Sequence, residues 1–135
     1  MSVTSLLDDF ALFDDWEDRY RFIIELGQSL EPLTEDEHCD ATRVPGCVSQ
    51  VWLVSELHNG ILHFRGDSDA HIVRGLIAIL LRIFNDKTPS DILALDPTDI
   101  FTQLDLNDHL TPQRSNGFAS MLQRIRNEAA AATSV

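Results

Sequence analysis

Apolar positions recur at helical spacing in residues 15–30, DWEDRYRFIIELGQSL, where Trp16, Tyr20, Ile23, Gly27 and Leu30 share one face. Asp14, Asp15, Glu17 and Asp18 gather at its start, where the helix dipole favours negative charge. A shorter helix is expected before it, around Ser5–Leu12. The stretch EPLTEDEHCDATRVPG is polar and turn-rich and reads as a loop. The pattern then changes period. In SQVWLVSELHNGILHFRG, Asn59-Gly60 separates two apolar runs, which predicts a hairpin with a type I′ turn. In that register Val51, Leu53, Leu57, Leu62 and Phe64 form one apolar face that should meet the helices. Trp52, Val54, Glu56, His58, Ile61 and His63 form the other, and Glu56 falls opposite His63 as a cross-strand charge pair.

The segment GDSDAHIVRGLIAILLRIFND is apolar almost all round, so it should be the central buried helix, capped by Ser68. Three later segments share one grammar: Thr88-Pro89-Ser90-Asp91, Asp96-Pro97-Thr98-Asp99 and Thr111-Pro112-Gln113-Arg114. Each offers an N-cap, a proline at the first helical position and a charge at the third. In the third that charge is an arginine, which the dipole disfavours by a few tenths to about 1 kcal/mol. Arg114 also lies in helical phase with Phe118, Met121 and Ile125, the inward face of the last helix. The order of helices, short antiparallel sheet and helices is α+β. Residues 1–135 read as one domain, with a frayed tail over residues 129–135.

Charge narrows the partners. The chain carries a net charge of −12, which repels nucleic acid and anionic membranes alike and favours an electropositive protein surface. No apolar run reaches the roughly 18–20 residues of a membrane span, and the acidic start has no signal-peptide pattern, so the expected location is cytoplasmic. The two cysteines, Cys39 and Cys47, do not make a disulfide framework.

Cys47 follows a Pro45-Gly46 turn and directly precedes an apolar strand. Such a turn offers loose backbone N–H groups, and Arg114 could supply a positive charge to a thiolate. The competing reading is a small apolar filler at a strand start, and the local residues leave the two about even. Cys39 stands among Glu35, Asp36, Glu37 and Asp40, anions that disfavour a thiolate, and reads as incidental. His38, Cys39, Asp40 and Cys47 lack the paired spacing of a metal site. His71 reads as a surface or capping residue and His109 has no motif around it. No nucleotide, redox-cofactor or zinc-catalysis motif occurs.

Taken together, RVPGCVSQVWLV, GDSDAHIVRGL, TPSDILALDP, HLTPQRSNGFASMLQRIR and the helix WEDRYRFIIELG resemble the SufE/CsdE family of sulfur acceptors, from about residue 8 to residue 128. The resemblance implies a fold like that of the IscU scaffold, a small antiparallel sheet of about three strands packed against helices. It implies that sulfur is accepted as a persulfide on Cys47, behind Gly46, from a cysteine desulfurase of the SufS or CsdA kind. The desulfurase, which carries pyridoxal phosphate (PLP), would be stimulated, and the sulfur passed to an iron–sulfur scaffold. It places Arg114 close to the acceptor and Asp69 in a loop beside the acceptor turn. It implies no cofactor or metal on this chain itself, and it assigns nothing to Cys39. Two other classes stand beside the carrier: a metal- or cluster-binding scaffold, and a redox-sensing or thiol-hydrolase module. The three ligand cysteines of IscU-type scaffolds are not supplied here.

Overall fold

In the computed structural model the described residues are 3–13, 15–44, 50–96, 98–103 and 112–133, with only the backbone described at 3–6, 98–99, 103, 112–116 and 133. The elements run α1 (Val3–Ala11), α2 (Trp16–Gly27), β1 (Val51–His58), β2 (Ile61–Ser68), α3 (His71–Phe84), α4 (Pro89–Ala94), α5 (Thr98–Gln103) and α6 (Pro112–Thr133). The expected α+β architecture is present.

Asn59 and Gly60 both adopt positive φ, 53° and 80°, so the tight turn forms as its sequence demands. The register pairs Val51 with Ser68, Leu53 with Gly66 and Leu57 with Leu62. Val51, Leu53, Leu62 and Phe64 are buried on the helix-facing side, while Leu57, at the turn end, is 46% exposed. Among the described residues the sheet has two strands. Residues 42–44 supply what remains of a third, making ladder bonds to the outer edge of β1 around the single bridge Arg43–Trp52. The outer edge of β2 is closed too. Asn85 uses its side-chain amide like a strand residue, accepting from Phe64 N–H at 2.7 Å and donating to Phe64 C=O at 3.2 Å.

Helix α3 is the central element, with buried residues almost all round its surface. It lies against β2 on one side and α2 on the other. The approach to α2 is backbone-close: a Cβ at Gly75 would stand 2.0 Å from the carbonyl oxygen of Ile23. Ser68 does not cap α3. It ends β2, and the N-cap is Ala70, which makes no side-chain cap bond; buried Ser68 Oγ instead accepts from Ala70 N–H at 3.2 Å. The buried strand register claims Ser68 before the helix can.

Thr88 caps α4 as expected, accepting from Asp91 N–H at 3.2 Å behind Pro89. Helix α5 begins at Thr98; Pro97 lies outside the described residues. Helix α6 begins at Pro112 and buries Phe118, Met121, Ile125 and Ala129. The helix runs on through the four alanines to Thr133, and Ala129 extends the buried face by one more turn.

Candidate functional site

The two ends of the segment that carries Cys47 are held by separate devices. On the incoming side Val44 N–H donates to Val51 C=O at 2.8 Å and Leu53 N–H donates to Thr42 C=O at 2.8 Å. Val44 itself is buried, so the chain leaves for residues 45–49 directly from the core. On the returning side Gln50 N–H donates to Asp69 Oδ1 at 3.0 Å, and Asp69 N–H donates back to Gln50 C=O at 3.3 Å. Asp69 can do this because it sits between the end of β2 and the N-cap of α3, a connection too short to move far.

Of the residues singled out in the sequence, Pro45, Gly46 and Cys47 lie outside the described residues, as does His109. Arg114 stands at the third position of α6, four residues before buried Phe118, and its side chain lies outside the described residues. Asp69 is brought to Gln50, three residues after Cys47. Three Cα steps also separate Cys47 from Val44, so either fixed end is within ~11 Å at full extension.

Sequence reasoning missed a residue on the incoming side. Arg124 of α6 donates through Nη2 to Ala41 C=O at 2.8 Å and more weakly through Nη1 to Arg43 C=O at 3.4 Å. Its Nε donates to Glu128 Oε1 at 3.0 Å, and the other carboxylate oxygen accepts from Ser55 Oγ of β1 at 3.0 Å. The i,i+4 spacing of Arg124 and Glu128 was visible; its reach to a loop some eighty residues away was not.

The loop before the site is ordered by short motifs. Thr34 and Glu37 form a reciprocal capping box, Glu37 N–H to Thr34 Oγ1 at 3.2 Å and Thr34 N–H to Glu37 Oε1 at 2.9 Å. Arg65 donates to both oxygens of Glu37 and, at 3.0 Å, to Glu56. The Arg65 hydrogen bond, then Thr34, holds the Glu37 carboxyl down to about 2. Glu56 does stand opposite His63 in the ladder, but they do not pair. Arg65, diagonal to Glu56 on the same face, takes it with His58, and His63 turns to Glu31 and Asp86.

His38 faces Thr34 C=O through Nδ1 at 2.8 Å and Asp67 Oδ2 through Nε2 at 2.8 Å. Both partners are acceptors, so both ring nitrogens donate only when the imidazole is protonated. The bond to Asp67 accordingly raises the His38 pKa. The ring meets Trp52 edge-on at 4.7 Å, and Asp67 also lies 3.1 Å from Arg74 Nε, an ion pair in which that N–H is not aligned. This cluster ties the loop to the ends of β2 and α3. His71 begins α3 and is exposed.

Cys39 is exposed, and its thiol is pulled down rather than up. The backbone N–H of Thr42, then its hydroxyl, favour the thiolate and outweigh Asp40, because a hydrogen bond at contact range beats a solvated charge. Among the described residues no three His, Cys, Asp or Glu side chains converge to hold a metal ion. Among them also, no helix is long and apolar enough to cross a membrane.

Residues 4–129 match the SufE family model, described as an Fe-S metabolism associated domain. An uncharacterized SufE-like protein of Rhizobium etli is 51% identical over 95% of this chain and 89% of its own length. Another, of Rhizobium meliloti, is 48% identical over 95% of this chain and 94% of its own. The solution structure of a hypothetical protein from Thermus thermophilus superposes with a TM-score of 0.78 over the whole of both chains at 18% identity, a likeness of fold.

Proposed function

The chain belongs to the SufE family of Fe-S metabolism associated domains, and from that premise we propose that it is a sulfur carrier whose acceptor is Cys47. It takes persulfide sulfur from a PLP-dependent cysteine desulfurase, stimulates that enzyme by unloading it, and passes the sulfur on for iron–sulfur cluster assembly. The observation that carries the reading is that Cys47 stands midway between two chain positions, Val44 and Gln50, each held by its own hydrogen bonds. Such fixed ends favour presenting one thiol at a defined place.

The transfer is redox-neutral. Cys47 loses its proton, and the thiolate attacks the terminal sulfur of the donor persulfide. A new S–S bond forms at Cys47 as the donor's S–S bond breaks, and the donor cysteine leaves as a thiolate that takes up a proton. A hidden sulfur would resist stray thiols and oxidants, but apolar burial raises a cysteine pKa. A cation offsets that cost, and Arg114 is the residue we assign to it. Its place at the third position of α6, where the dipole prefers an acid, is accounted for if the charge serves an anion.

The test is desulfurase turnover with and without this chain, read as alanine released from cysteine. The wild type should raise turnover and Cys47→Ser should not. Equal stimulation by both would remove Cys47 from the reaction.

A further inference from the structure

Residues 42–44 lie on the outer edge of β1 like the start of a third strand. In such a ladder alternate carbonyls point to opposite sides. Thr42 C=O is taken by β1; those of Ala41 and Arg43 face the other way, where a further strand would stand. Arg124 occupies that place, with one guanidinium nitrogen on each carbonyl. The third nitrogen is held by Glu128, which Ser55 ties back to β1. A solvent-facing i,i+4 pair contributes little and would need none of these long-range partners. The Arg124 and Glu128 side chains are 23% and 32% exposed, so their anchor to β1 through Ser55 is half-buried, while the two bonds to the loop carbonyls lie at the surface.

Helix α6 also carries Arg114, ten residues earlier and so ~15 Å along the axis. One rigid element therefore joins the stem of the Cys47 segment to the residue assigned to its charge. We propose that Arg124 is a positioning residue for sulfur transfer, setting the register between α6 and the chain that enters the Cys47 segment. The inference rests on the proposed carrier function, because it assigns Arg124 a part in that reaction. Arginine suits the task because its planar fork serves three directions at once; a lysine ammonium keeps the charge without the fork.

Arg124→Ala and Arg124→Lys, each in a Cys39→Ser background so that Cys47 is the sole thiol, test it by two measurements. The first is the rate of sulfur uptake from a cysteine desulfurase across a range of carrier concentrations. The alanine variant should lose roughly tenfold or more in the saturating rate, since misplacement by about 1 Å costs up to ~100-fold, with a smaller change in the half-saturating concentration. Lysine should restore part of it. The second is the pH profile of Cys47 alkylation by iodoacetamide on the chain alone, whose midpoint should move to higher pH in the alanine variant. Wild-type values in both measurements, per folded molecule, overturn the proposal. If the alanine variant does not fold, wild-type values in the lysine variant do so. A wild-type chain that takes up no sulfur, with the alkylation midpoint still shifted by Arg124→Ala, would sink the carrier function and keep the positioning.

Discussion

Replacing Asp69 by alanine removes the oxygen that accepts the Gln50 N–H at 3.0 Å, one of two bonds that secure the chain as it returns from Cys47. The other, from Asp69 N–H to Gln50 C=O, is backbone only and survives the change. A hydrogen bond to a charged acceptor is worth roughly 1.5–3 kcal/mol when sheltered. Asp69 is exposed, so water competes and about 1 kcal/mol is the appropriate figure. That is a local change, and 1 kcal/mol corresponds to ~5-fold more frequent opening at Gln50. Asp69→Asn keeps a carbonyl oxygen in place and should stay within about twofold of wild type. Amide hydrogen exchange followed by NMR reads this directly, with Leu53 N–H, bonded to Thr42 C=O, as the internal control. Gln50 should exchange ~5-fold faster in Asp69→Ala while Leu53 does not change. Equal exchange at Gln50 in all three proteins would refute the clamp, and equal acceleration at both amides would show a global loss of stability instead.

Arg114→Ala should slow sulfur uptake more than tenfold while moving the urea midpoint little; an effect confined to stability would contradict the role given to its charge, about 10-fold being ~1.4 kcal/mol of barrier. Gly75→Ala should destabilise by at least about 2 kcal/mol, since the new Cβ meets the Ile23 backbone and overpacking outweighs a helix-propensity gain of about 1 kcal/mol. Thermal melting should then fall by ~6–10 °C, and an unchanged melting temperature would refute the close packing. The Asp67 hydrogen bond raises the His38 pKa in the fold, so the stabilisation is complete below the unfolded value of about 6.5 and is lost as pH rises through the folded value. His63 has the same sign, because Asp86 and Glu31 together outweigh the burial that opposes them. Urea midpoints should therefore fall as pH rises above about 6.5, and less steeply in His38→Gln; a rise, or an unaltered slope in that variant, would contradict the assignment.

The hairpin was legible because Asn59-Gly60 specifies its own turn and period-two burial fixes the register once the turn is set. The α4 cap was legible because Thr88, Pro89 and Asp91 act within one turn. Ser68 looked equally like a cap, but its place in the buried strand register overrode the local signal. Among the described residues, what answers to a third strand is residues 42–44, which meet β1 around the Arg43–Trp52 bridge. Surface charge pairing was the least legible level. Glu56 and His63 lie opposite as expected, yet long side chains chose diagonal and loop partners, a matter of rotamers and neighbouring loops that the sequence pattern does not encode. At the candidate site the chemistry-bearing residues stood in recognisable strings. The residues that hold the stem did not: Arg124 acts through carbonyls at Ala41 and Arg43, and backbone oxygens leave no mark on a sequence.

The central claim is that Cys47 itself takes on a second sulfur. It is tested most directly by intact mass after incubation with cysteine and a PLP-dependent cysteine desulfurase, followed by peptide mapping. A gain of about 32 Da per sulfur, located on the Cys47 peptide and removed by reductant, is predicted. The same gain in Cys47→Ser, or sulfur mapped to Cys39 in the wild type, would contradict it.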